Sequence, residues 1–112
     1  MADENLRFSS PLRNKFELAK AYIAIAEIGE REPYEKALEL LAPHEEYFTE
    51  DRCWNYRIAL AYYCLDEEGP ALRYFEKALK ARPGDKDTQE YIDDCRRRLA
   101  IVYSKLIKVS AT

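Results

Sequence analysis

The chain has 112 residues, a length that suits one domain, and 47% hydrophobic residues, enough to build a core. Its net charge of -3 within 35% charged residues argues against a phosphate backbone as partner, so no nucleic acid is expected. No stretch approaches the ~18 apolar residues of a membrane span, no leader pattern is seen, and three cysteines without C-x-x-C spacing suit reduced thiols, so the expected setting is cytoplasmic, with no membrane and no cofactor.

Residues 1–10 are mostly polar and are expected to form a flexible arm. Ser10 and Pro11 then give a helix start, a hydroxyl able to cap backbone N–H groups followed by a proline tolerated at the first helical position. Phe16, Ala19, Tyr22, Ile23 and Ala26 recur at the steps of one buried helical stripe, which predicts a helix over 11–28 ended by Gly29. Pro33 opens a second helix with Tyr34, Ala37, Leu38 and Leu41 on one face, stopped at Pro43. The short connection requires the two helices to run antiparallel.

Residues 44–48 read as a polar and aromatic link, after which Thr49, with Glu50 and Asp51, supplies a cap and negative charge for a third helix over about 50–65. A fourth starts at Gly69-Pro70, carries Ala71, Leu72, Phe75, Ala78 and Leu79 on one face, and closes at Pro83-Gly84. Asp85 or Asp87 caps a last, longer helix that continues to about residue 108, leaving 109–112 as a tail. No segment alternates in the manner of a strand. The expected fold is all-α, about five helices in a single domain over 11–108.

The chain also repeats itself. Leu18-Ala19-Lys20-Ala21-Tyr22-Ile23 matches Ile58-Ala59-Leu60-Ala61-Tyr62-Tyr63 at an offset of 40, and Tyr34-Glu35-Lys36-Ala37-Leu38 matches Phe75-Glu76-Lys77-Ala78-Leu79 at 41. Such a period points to helical hairpins that each leave an apolar face uncovered and bury it by stacking.

The second unit reads Asn55-x-x-Ile58-Ala59-x-x-Tyr62, then Ala71-x-x-x-Phe75, Ala78 and Pro83. This resembles the tetratricopeptide repeat, with Asn55 where tryptophan is common and Ala59 for glycine. The first unit keeps Leu18, Ala19, Tyr22, Tyr34, Ala37 and Pro43 but puts Glu30 where the family has an alanine at the start of its second helix. The last helix resembles the extra helix that closes such arrays. The resemblance implies a short right-handed solenoid of two hairpins and a closing helix.

It also implies a non-catalytic module that holds a peptide or a partner helix in a concave groove. The groove residues it indicates are Phe16, Lys20 and Ile23, with Arg13 and Ala24, in the first unit, and Tyr56, Leu60 and Tyr63, with Cys53 and Cys64, in the second. The closing helix adds Asp87, Glu90 and Asp94, so the basic clamp by which some members grip a terminal carboxylate is not expected. An aromatic stripe at helical spacing is also what a core requires, and Phe16, Ile23, Tyr56 and Tyr63 could instead pack against neighbouring helices.

Catalysis is not expected. His44 is the single histidine and follows a helix-ending proline, a turn position. Cys53 and Cys64 lie about 16 Å apart along one helix, too far to share a metal or a bond. The end of the chain is less ordinary: over 99–109 eight of eleven residues are apolar or tyrosine, including Ile101, Val102, Tyr103, Leu106 and Ile107. A closing helix should be polar outside, so this segment is expected to make a protein contact, either homo-oligomeric or with a further domain.

Overall fold

A computed structural model describes residues 10–111 of the protein, with side chains from 11 to 110. The helices are α1 (Ser10–Ile25), α2 (Glu32–Leu41), a single-turn α3 (Glu45–Phe48), α4 (Arg52–Cys64), α5 (Glu68–Ala81) and α6 (Lys86–Ala111). No strand occurs among the described residues. The expected N-terminal arm, but for Ser10, lies outside them, while Ser10 already belongs to α1 and the expected tail is helical to Ala111.

Each long helix packs on the next, α1 on α2, α2 on α4, α4 on α5 and α5 on α6. Alanine allows the close approach: Ala19, Ala37, Ala59, Ala71 and Ala78 are all buried, and Ile58 and Phe75 fill the space among them. Tyr22, Tyr34 and Tyr62 are half-buried around this core. Leu18 and Pro83 are not in it. Leu18 is 47% exposed because Ala19 takes the inward position of α1, and Pro83 is exposed in the turn after α5, where it stops the helix without packing.

Three local details differ from the sequence reading. α1 ends at Ile25 rather than 28, because Glu27 N–H turns to Glu30 Oε1 (2.8 Å) instead of the helical carbonyl behind it, and Gly29 completes the turn at φ 90°. Glu30 therefore lies in a loop, not in a helix. Residues 42–48 are not an open link: a 3₁₀ turn over Ala42–His44 runs into α3, which buries Phe48. The cap of α4 is Asp51, whose carboxylate accepts the Trp54 N–H (2.9 Å), and Thr49 instead offers its carbonyl to Asn55 Nδ2 (3.1 Å).

α4 ends in a Schellman turn, with Glu67 N–H on Tyr62 O (2.9 Å), Asp66 N–H on Tyr63 O (3.1 Å) and Asp66 at φ 60°. Asp85 precedes α6, accepts from Thr88 Oγ1 (3.1 Å) and pairs with Arg52 at the start of α4 (3.9 Å). Thirteen residues after Asp85, Arg98 reaches Asp66 (3.8 Å) and Glu68 (3.5 Å) at the α4–α5 turn. These two anchors make α6 parallel to α4 and antiparallel to α5.

The anchors also fix where support ends. α6 has 26 residues against 14 in α5, about 39 Å against 21 Å. Residues 100–110 are all exposed, and the molecule measures 58 × 30 × 23 Å. Its radius of gyration, 15.9 Å, exceeds the roughly 13 Å of a compact domain of this length because α6 projects past its neighbours.

Candidate functional site

Helices α1, α4 and α6 line a groove that crosses α4, and α5 packs behind it. Phe75 of α5 is wholly buried and stacks flat on Tyr91 of α6, centroids 4.9 Å apart and planes 3° from parallel. Tyr56 and Tyr63 of α4, about two turns apart, set their rings edge-on to this pair, Tyr56 at 5.8 Å from Phe75 and Tyr63 at 5.0 Å from Tyr91. Edge-to-face contacts of this kind add to the area they bury, so the two tyrosines are held in place before any ligand arrives.

On one side of Tyr56 lies a cavity of about 310 Å³ lined by Lys20, Ile23 and Ala24 of α1 and Arg52, Cys53, Arg57 and Leu60 of α4. On the other lies one of about 330 Å³ lined by Tyr63 of α4 and Asp87, Glu90, Tyr91 and Asp94 of α6. Tyr56 belongs to both. Of the residues indicated by the sequence, Lys20, Ile23, Tyr56, Leu60 and Tyr63 thus come together. Phe16 does not: its ring packs on Phe48 (4.8 Å) and on His44 (6.0 Å), joining α1 to the 42–48 segment.

Tyr56 and Tyr63 both pack against Tyr91 of α6 and line a cavity as well. Arg52, Arg57 and Tyr91 are the lining residues that sequence reasoning missed. Arg57 follows Cys53 by one helical turn and was detectable from that spacing. Tyr91 lies on the helical stripe that it shares with Cys95, which gave no sign that it also borders a cavity.

Tyr63 is polar as well as aromatic. Its hydroxyl donates to Asp94 Oδ2 (2.5 Å) and accepts from Arg98 Nη2 (2.9 Å), while the Arg98 guanidinium lies 4.5 Å from the ring centre. Burial, reinforced by the bond to Asp94, pushes the Tyr63 hydroxyl up to about 12. The same bond, with Arg97 (2.5 Å), holds the Asp94 carboxyl below its ordinary value. Burial beside Tyr91 and Asp87 also raises Tyr56, so both groove hydroxyls are neutral donors at physiological pH.

A hollow of about 400 Å³ lies elsewhere, between Thr49 and Glu50 and the α5 residues Lys77, Lys80 and Ala81. It contains no aromatic side chain, and Lys77 is already bonded to Thr49 Oγ1 (3.3 Å). Cys53, Cys64 and Cys95 are free thiols, and burial raises that of Cys95 to about 11. Among the described residues no group of three or more His, Cys, Asp or Glu is placed to hold a metal, and no helix is long and apolar enough to cross a membrane.

No family model matches the sequence, and no curated protein or solved structure matches it either.

Proposed function

We propose that the chain is a short tetratricopeptide-type array, a right-handed stack of two hairpins and a closing helix, that acts as a non-catalytic protein-interaction module. It holds an extended peptide or a partner helix across α4, with Tyr56, Leu60 and Tyr63 as the contact line. The observation that carries this reading is the pair of cavities meeting at Tyr56, an aromatic anchor already fixed by Phe75 and Tyr91. Free thiols fit a reducing, cytoplasmic setting for such an adaptor.

Selection of peptides from a random display library, followed by titration against Tyr56→Ala, tests it. Selected peptides bind the wild-type chain and lose at least ~10-fold on Tyr56→Ala, a truncation at the centre of the interface. Peptides that bind the variant equally well, or a failure to select any, contradict it.

A second reading, assembly through the end of α6, rests on one separate observation. The buried positions Thr88, Ile92 and Cys95 continue outward at alternating four- and three-residue steps as Leu99, Val102 and Leu106, and Val102 and Leu106 are 49% and 56% exposed. A second copy of the chain fits this seam only antiparallel, because α5 occupies the same face nearer the core and blocks a parallel partner. Ile101, Tyr103 and Ile107 flank the pairing. Light scattering at high concentration reports it: a dimer that Leu106→Glu dissociates supports the reading, and a monomer in both forms removes it.

A further inference from the structure

The two cavities that meet at Tyr56 carry opposite charge. Lys20 and Arg57 line the first, and neither has an ion pair among the described residues; Arg52 beside them is held by Asp85. Asp87 and Glu90 line the second and are likewise unpaired, whereas their neighbour Asp94 is occupied by Tyr63, Arg97 and Arg98. The unspent charge of the groove is thus positive on its α1 side and negative on its α6 side. Between them the surface is apolar and aromatic, from Ile23 and Leu60 to Tyr56.

We infer that the ligand of this groove is a peptide segment of matching polarity, acidic where it crosses α1, apolar over α4 and basic where it crosses α6. This rests on the groove reading above and adds the chemistry of its occupant. An arrangement of one sign would accept any oppositely charged chain, but two signs on either side of an apolar anchor reject uniformly acidic and uniformly basic segments alike, since each meets repulsion at one end. The spacing sets the length. The outermost charged groups, Lys20 on α1 and Asp87 and Glu90 on α6, sit on helices either side of α4, two interhelical distances of about 8–10 Å, which an extended chain crosses in about six residues at ~3.3 Å each.

Fluorescence anisotropy with labelled synthetic peptides tests the inference. One probe has two aspartates, a leucine- and tyrosine-containing centre and two lysines; three others share the centre and have uncharged, doubly acidic or doubly basic ends. At low ionic strength the bipolar probe binds roughly 10-fold tighter than the uncharged one, and the advantage collapses at about 0.5 M salt. Lys20→Glu/Arg57→Glu moves the preference to the doubly basic probe. Asp87→Asn/Glu90→Lys, which puts an uncharged side chain at the first turn of α6, moves it to the doubly acidic probe.

Equal binding of all four probes, abolished by Tyr56→Ala, overturns the polarity while the groove stands. A preference that fails to move with either pair of substitutions also overturns it. Absence of binding by every probe, or binding untouched by Tyr56→Ala, overturns the groove and the polarity together.

Discussion

Trp54, in the first turn of α4, gives its indole N–H to the carbonyl of Leu41, the last residue of α2, at 3.1 Å. Both residues are buried, so this bond ties the first hairpin to the second inside the core. Trp54→Ala removes the bond and the largest buried side chain together, and unfolding in urea is expected to show a loss of about 3–5 kcal/mol. Trp54→Phe keeps most of the volume but leaves the Leu41 carbonyl buried without its donor, and is expected to cost about 1–3 kcal/mol.

Acid and alkali act on one contact. Because Asp94 titrates below its ordinary value in the folded chain, its contribution is complete above the usual carboxylate range and is lost as pH falls through the depressed value. Tyr63 works in the other direction: raised to about 12, it contributes below its ordinary value near 10.0 and loses that contribution as pH climbs between the two. Thermal melts of Asp94→Asn are expected to show a lower melting temperature at neutral pH and a flatter fall below pH ~4 than wild type. An unchanged acid limb would mean that the Tyr63–Asp94 bond does not form in solution.

Asp66 occupies the left-handed position that closes α4, at φ 60°. Glycine adopts that conformation without the steric penalty an L side chain meets, and the exposed Arg98–Asp66 pair at 3.8 Å is a weak compensation. Asp66→Gly is therefore expected to raise stability by about 1 kcal/mol in denaturant titration.

How far the sequence exposed this architecture varies with the kind of signal. Helix identity and order were legible because the apolar stripes are long and regular, and the repeated alanines marked the close approaches: Ala19, Ala37, Ala59, Ala71 and Ala78 are all buried. Ends were less so. The stop of α1 depends on a side chain, Glu30, folding back onto Glu27, and the cap of α4 moved from Thr49 to Asp51 through a choice among adjacent acceptors. Periodicity does not resolve such competition.

Lys20, Ile23, Tyr56, Leu60 and Tyr63, which the repeat register groups together, line the two cavities, but the sequence could not tell that Phe16 turns to Phe48 and His44. That contact depends on residues 42–48 folding into helical turns, a tertiary event with no stripe of its own. The polarity of the groove was hidden for a related reason. Which charges are spent internally, as Arg52 and Asp94 are, is decided by partners distant in sequence.

The overhang of α6 has a dynamic consequence. Past Leu99 the side chains of the helix are exposed through residue 110, and a helical segment of about 12 residues is marginal by itself in water. Amide hydrogen exchange is expected to show slow exchange over 88–98 and exchange at least ~100-fold faster beyond 103, unless an added partner protects that end. Uniform slow exchange in dilute monomer would contradict the exposed geometry of this end.

Mapping backbone amide shifts during titration with the bipolar peptide tests the central claim most directly. Shifts concentrated at Lys20, Ile23, Tyr56, Leu60, Tyr63 and Glu90 are the predicted result; shifts confined to 99–109, or none at saturating peptide, would contradict a ligand groove across α4.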